Sequence, residues 1–420
     1  MIDSDTGIVA KKKILLIAPQ PFFLNRGTPL NVKAMAEELA KAGYHIDLYV
    51  YPFGEEVQIQ GVTILRSPKL PGITQVPIGP SCAKFFLDIP MFLKSIGLII
   101  KNRYTVIHGT EEGAIMAGVL GLLTGLPYIY DMDSSMPEQL VDRGYLKSRF
   151  CISLLESIEN FFLKRSKAVL TVCSSLTKKA KSIVDASKVY QIEDFPVEGS
   201  SEFNQEELRK IKKELSIDSQ QVIVYTGNFE PYQGLDLLLQ SFARVPSKAI
   251  LLLVGGGNRG DKKREHYETL ATQLGVSERV KFAGLQPLER MGAYMGLADL
   301  LASPRIEGEN TPLKIYSYMA ANKPIIATRI FSHTQVLTDE ISYLSIPEVS
   351  AFKETLEQAL ENSEDGKKER EKKAKLAKEL VDRCYSRKAF KERLISLYQD
   401  ILEDSSKTPL LEEKRKAALG

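Results

Sequence analysis

The stretch Ser303-Pro-Arg-Ile-Glu-Gly-Glu-Asn-Thr-Pro-Leu-Lys-Ile-Tyr-Ser-Tyr-Met-Ala-Ala-Asn-Lys-Pro-Ile-Ile-Ala-Thr328 carries a polar loop, a helix with start and stop signals, and a buried strand. Upstream of it Ala298-Asp-Leu-Leu-Ala302 is a short apolar run, and Pro324-Ile-Ile-Ala-Thr328 closes it with another. A strand, helix, strand unit of a parallel sheet is the natural reading. Thr311 is placed to N-cap the helix and Pro312 suits its first position, while Leu313, Ile315, Tyr316, Met319 and Ala320 give it a buried face. Asn322 is a left-handed C-cap ahead of Pro324. The loop from Pro304 to Asn310 then lies at the carboxyl end of a parallel strand, where open α/β sheets place ligands, and ends at a helix N-terminus with free N–H groups. An anion, phosphate above all, is expected there.

Glu307, Glu309 and Asn310 precede Thr311, and Lys314 lies about one turn into the helix. Carboxylates beside a phosphate repel it, so these two are read as acceptors for hydroxyl groups of the same ligand. Phosphate together with many hydroxyls describes a sugar nucleotide. The competing reading is an ordinary loop with capping and surface charges, and spacing alone leaves both open.

The segment resembles the donor-site region of the GT-B retaining glycosyltransferases of family 4. There a Glu, seven residues and a second Glu precede a Met-Ala, small, Gly/Asn, Lys-Pro run and a strand. Aligning Met319-Ala320-Ala321-Asn322-Lys323-Pro324 with that run puts the first Glu on Glu309 and the second on Ser317. The resemblance implies that Glu309 holds hydroxyls of the transferred sugar. It leaves Ser317, uncharged, where relatives hold the nucleotide ribose.

Length and composition fit this plan. A chain of 420 residues exceeds what one core fills, so two domains are expected. Its hydrophobic fraction is 44% and its charged fraction 26%, as in globular soluble proteins, and a net charge of +3 gives no electrostatic case for nucleic acid. Cys82, Cys151, Cys173 and Cys384 form no CxxC pair, which argues against a zinc site or a disulfide framework and for reduced thiols. The acidic start, without a following apolar stretch, argues against a signal peptide, and no segment reaches transmembrane length. A cytoplasmic protein, at most resting on the inner face of a membrane, is expected.

Apolar strands beginning with Lys12-Lys-Ile-Leu-Leu-Ile-Ala-Pro19 alternate with helical stretches, and after a turn-rich linker between Pro196 and Asn204 the pattern repeats. This predicts a first Rossmann-like domain over residues 1–198 and a second over 199–386. A helix over 387–402 returns to the first domain by resemblance, and a charged tail covers 403–420. The fold class is α/β, two doubly wound parallel sheets facing a central cleft, the GT-B plan.

Other constellations follow the strands. Thr226-Gly227-Asn228-Phe229-Glu230-Pro231-Tyr232-Gln233-Gly234 is a loop in which backbone can approach a diphosphate. Relatives carry Arg after the first Gly and Lys before the second, where this chain has Asn228 and Gln233, so Lys314, with Arg305 and Arg26 behind it, is the candidate to supply the missing charge. Gly255 opens a glycine turn after Leu251-Leu-Leu-Val254, and Leu285 follows a strand end that in the family contacts the nucleobase. By the same resemblance the donor is also met by Asn310, Thr311, Pro312 and Leu313. In the first domain Arg26, Gly27 and Thr28 occupy the family's glycine loop, and Glu111 and Glu112 are either acceptor contacts or helix caps. Of the four histidines, only His108 is read at a strand end facing the cleft. Asp133 either orients a sugar hydroxyl or takes the acceptor proton, or it caps a helix.

The apolar stretch Phe85 to Ile100, with Lys84, Lys94, Lys101 and Arg103 about it, is either a core helix or a surface that rests on a membrane. The resemblance implies a metal-independent enzyme without a cofactor, moving a hexosyl-type group from a nucleotide diphosphate sugar to a lipid-linked or saccharide acceptor of the cell envelope. The second reading is a binding or regulatory protein of the same fold without turnover, and an NAD-dependent enzyme is remote because no GxGxxG follows the first strand.

Overall fold

A computed structural model describes residues 12–23, 27–74, 76, 81–142, 145–197, 199 and 203–404. The chain divides into two compact units, one of residues 1–193 with 391–420 and one of 194–390.

The first unit is built on β1 (Lys13–Ala18), β2 (His45–Val50), β3 (Val62–Arg66), β4 (Val106–Thr110), β5 (Tyr128–Met132), β6 (Ala168–Thr171) and β7 (Val189–Gln191). They form one sheet in the order β3-β2-β1-β4-β5-β6-β7, with parallel pairing throughout. Central strands such as β1, β4 and β5 are buried along nearly their whole length because helices cover both faces. Helices α1 (Gly27–Lys41), α2 (Cys82–Lys101), α3 (Glu112–Thr124), α4 (Met136–Asp142) and α5 (Arg149–Arg165) belong to this unit. Strand order reverses between β1 and β4, so the ligand crevice of this sheet is expected past Ala18 and Thr110.

In the second unit β8 (Val222–Gly227), β9 (Ile250–Gly255), β10 (Val280–Gly284), β11 (Leu300–Ser303), β12 (Ile325–Thr328) and β13 (Tyr343–Ser345) pair in the order β10-β9-β8-β11-β12-β13. All neighbours are parallel. Here the order reverses between β8 and β11, which puts Gly227 and Ser303 on either side of the switch point.

The division between the units falls just ahead of the turn-rich linker. Residues 194–197 already belong to the second unit, where the Phe195 and Phe390 rings lie 4.9 Å apart and Val197 N–H donates to Ser317 Oγ at 3.1 Å. The helix Arg387–Asp404 joins the first unit from Lys391 onward, burying Leu394, Leu397, Tyr398 and Ile401.

His108 corrects the sequence reading. It is fully buried, with Nδ1 2.7 Å from Tyr398 Oη and Nε2 3.2 Å from Asp131 Oδ2, so both ring nitrogens are taken within the core and neither is open to a ligand. The histidine links the middle of β4 to the last helix. Replacing Tyr398 with Phe leaves one His108 nitrogen buried without a partner, and is expected to destabilise the first unit by about 1–3 kcal/mol. Urea unfolding followed by hydrogen exchange of β4 amides measures this; an unchanged midpoint would show that the pair contributes nothing.

Candidate functional site

At the switch point of the second sheet, β8 and β9 end in register on two glycines, Gly227 and Gly255, with φ of 138° and 114°. Gly256 N–H donates to Gly227 O at 2.9 Å, and a Cβ on Gly255 would lie 2.2 Å from that same oxygen. The two strand ends approach so closely only because neither residue has a side chain. A Cβ on Gly227 would also stand 2.9 Å from Lys314 Nζ. The lysine therefore lies against the strand end itself.

Lys314 reaches this place from the helix Leu313–Ala320. Its ammonium donates to Gln233 Oε1 at 2.9 Å and lies 4.0 Å from the centre of the Tyr225 ring. Burial holds its pKa well below the ordinary lysine value, and the nearby Arg305 charge pushes in the same direction. Arg305 is itself lowered by burial. Its Nε donates to Glu307 O at 2.5 Å and its Nη1 to Asn310 O at 3.2 Å, so it shapes the loop before the helix. Among the described residues no carboxylate comes within ion-pair distance of either cation. Two partly desolvated positive charges at a helix N-terminus, without a counter-ion, form a site that an anion would complete.

A buried histidine braces the same loop. His333 donates or accepts at 2.9 Å with Ser303 Oγ through Nε2 and contacts Thr328 O at 2.9 Å through Nδ1, while Thr328 Oγ1 donates to Arg305 O. The ends of β11 and β12 are thus tied to the first turn of the loop. Desolvation pushes His333 down to about 3, so it is neutral in the folded protein. A histidine five residues beyond a buried strand was the available sequence signal.

Other expected donor residues are distributed unevenly. Asn228 Oδ1 accepts from Glu230 N–H at 3.2 Å, which shapes the loop after β8, and Leu285 is 61% exposed just past β10. Glu309 is exposed at the loop tip, its carbonyl accepting from Gln335 Nε2 at 2.6 Å. The helix begins one residue later than expected, with Pro312 rather than Thr311 in the cap position; Thr311 is buried and its Oγ1 makes no hydrogen bond. That hydroxyl is an unfilled donor and acceptor beside the anion site. Ser317 is buried, and its oxygen accepts from Val197 N–H, so it holds the inter-unit segment rather than standing open.

In the first unit the switch point carries a charged cluster. Glu111 follows β4 with φ 51° and ψ −125°, a left-handed backbone that a non-glycine residue adopts only under constraint. Thr28 Oγ1 donates to its carboxylate at 3.3 Å, and Lys84 Nζ lies 3.0 Å from Glu112 Oε1 and 3.9 Å from Glu111 Oε2. Asp88 accepts from Tyr51 Oη at 2.6 Å. Burial raises Asp88 and Glu111 each to about 7, with Glu112 adding to both. Lys84, Asp88 and Tyr51 were not among the expected site residues. Arg26 lies outside the described residues, and Gly27 starts α1 beside Thr28. Asp133 follows β5, and at the start of α4 Glu159 accepts from Met136 N–H at 3.1 Å and Ser135 Oγ at 3.0 Å.

Comparison with known proteins gives a consistent picture. The family model described as glycosyl transferases group 1 matches residues 206–380, and that described as glycosyl transferase 4-like domain matches residues 26–189. An uncharacterized glycosyltransferase of Methanocaldococcus jannaschii is 23% identical over 331 residues, spanning 75% of this chain and 80% of that protein. The crystal structure of Anabaena HepE in complex with UDP and glucose superposes with a TM-score of 0.71 at 15% identity, covering 94% of this chain and 100% of that one. That of WaaG, a glycosyltransferase involved in lipopolysaccharide biosynthesis, gives 0.69 at 16%, covering 91% and 99%.

The neutral His333 makes stability depend on pH with a definite sign. Its folded pKa lies below the unfolded value of about 6.5, so its contribution is fully present above that value and is lost as pH falls towards 3, at no more than about 1.4 kcal/mol per pH unit. Unfolding of the second unit measured between pH 7 and pH 4 should therefore be steeper in the wild type than in His333→Gln. Parallel pH profiles would contradict the assignment.

Proposed function

The chain belongs to the glycosyl transferases of group 1, with the GT-B fold, and from that premise we propose a retaining, metal-independent enzyme that moves a hexosyl-type group from a nucleotide diphosphate sugar to a lipid or saccharide acceptor of the cell envelope. The observation that carries the donor half is the position of Lys314. Relatives of this family place two cations on the glycine loop, where this chain has the neutral Asn228 and Gln233; here the ammonium enters from the opposite helix and rests on Gln233 and the end of β8.

A diphosphate bound at the strand ends would meet Lys314, the N–H groups of Leu313 and Lys314, the Thr311 hydroxyl and the glycine backbone. As the bond to the sugar breaks, negative charge grows on the leaving phosphate, and fixed donors already aimed at it lower the barrier. Arg305 keeps the loop in shape and adds positive potential. Glu309, exposed on its loop, would accept hydroxyls of the sugar. In the first unit Thr28, Glu111, Glu112 and Asp133 supply carboxylates and a hydroxyl to hold the acceptor. WaaG, which acts in lipopolysaccharide biosynthesis, supports an envelope acceptor, and HepE, seen with UDP and glucose, supports a uridine donor. Absence of the usual cation pair motivates a second reading, a donor-binding protein without turnover.

Incubating the full chain with a panel of nucleotide sugars separates the two: release of nucleoside diphosphate supports the enzyme, and binding without release supports the other. Replacing Lys314 with Gln is expected to lower turnover by about a hundredfold or more. Because burial lowers the Lys314 pKa and an anion would raise it, UDP binding followed across a pH series should take up more protons in the wild type than in Lys314→Gln. Calorimetry in buffers of different ionisation enthalpy reads this, and equal proton counts would remove Lys314 from the diphosphate. Glu309→Ala with undiminished turnover would likewise remove Glu309 from the sugar.

A further inference from the structure

Exposed large apolar side chains are concentrated in the first unit. Among the described residues, twelve of the seventeen lie between Phe85 and Phe161. Helix α2 presents Phe85 at 65% exposure, Ile89 at 49% and Leu93 at 61%, spaced i, i+4, i+8 along one face. Such a stripe is unfavourable in water unless something covers it.

The stripe borders a groove of about 960 Å³, walled by Phe85, Ile89 and Leu93 of α2, Met116 and Val119 of α3, and Leu140 of α4. Its charged side chains are gathered at one end. Lys84 and Asp88 of α2 and Glu112 of α3 line it there, next to Glu111 at the switch point, whereas Leu93 and Val119 mark the far end. From Lys84 to Leu93 the helix rises about 14 Å. The groove is therefore amphipathic along its length, with the polar end at the carboxyl edge of the sheet and the apolar end away from it.

We propose that this groove binds the acceptor as a single-chain amphiphile, its hydrocarbon chain lying along α2 and α3 and its neutral, hydroxyl-bearing head at Lys84, Asp88, Glu111 and Glu112. This rests on the transferase reading and names the acceptor class for it. The head is assigned as a polyol by charge. Among the described residues the one ammonium at this end already contacts Glu112 at 3.0 Å, so no cation is left to hold a phosphate head, while sugar or glycerol hydroxyls find both donors and acceptors. Glu112 Oε2 is buried without a hydrogen-bond partner, and a hydroxyl donor at the groove's polar end would satisfy it. The chain is assigned by the apolar walls, which gain by covering and cannot discriminate a bulky headgroup.

The test uses alkyl β-D-glucosides, hexyl to dodecyl, titrated into the full chain below their critical micelle concentrations. Affinity should rise about threefold to fourfold per methylene, the gain of burying each CH2, until the groove is filled. Phe85→Ser combined with Leu93→Ser, both exposed positions that leave the core intact, should flatten that dependence, with circular dichroism confirming the fold. Affinity independent of chain length, binding to vesicles but not to monomeric glucosides, tighter binding of decyl phosphate than decyl glucoside, or a change of oligomeric state in place of ligand binding would each overturn the proposal. Nucleotide release from a donor sugar, measured on the same preparation, keeps the two readings apart. Release without chain-dependent binding sinks only the groove, and chain-dependent binding without release sinks only the transferase.

Discussion

The ammonium of Lys314 occupies volume that any side chain at Gly227 would need, and this contact constrains the whole ligand edge of the second sheet. For the amine to fit, β8 must end on glycine, and β9 must end on a second glycine so that the two backbones can close on each other. The helix that carries the lysine must start at a fixed height above β11. That height is set by the loop before it, which Arg305 gathers from within and His333 braces from beneath through Ser303 and Thr328. A positive charge in a poorly hydrated place is costly, and that cost holds the Lys314 pKa below the ordinary lysine value. Much of the organised backbone around it serves to keep the charge where an anion can relieve it.

The first unit solves the inverse problem. Its switch point gathers carboxyl groups, and burial and mutual repulsion hold two of them near neutrality, with Lys84 as the opposing charge among the described residues. One edge is thus poised to accept negative charge and the other to hold hydroxyl groups. Each polarity follows from which side chains the sequence delivers to the carboxyl ends of parallel strands.

Much of this was legible in the sequence, because the features concerned are local. Continuous apolar runs bounded by glycine and polar loops announce both sheets, and Lys314 one turn into its helix is a local feature as well. What escaped depended on partners distant in the chain. Ser317 is engaged by Val197, and His108 by Tyr398, pairings that only the tertiary fold creates. Thr311 looked like a cap by its neighbours, yet the helix starts after Pro312. Lys84 and Asp88 stand four apart in an apolar helix, a spacing that signals one shared face; reading Lys84 as a flank of an apolar stretch and Asp88 as part of it hides that they form the polar end of a groove.

The first unit is discontinuous in sequence, since its last contribution comes from residues beyond Lys391. During synthesis the sheet of β1 to β7 leaves the ribosome long before the helix that partners His108, while every strand of the second unit has emerged before that helix is made. Until then His108 lacks the hydroxyl of Tyr398, and the site where Leu394, Leu397 and Ile401 will pack stays uncovered. The unit begun first is therefore completed last, and the nascent chain carries an unfinished apolar surface through most of its elongation.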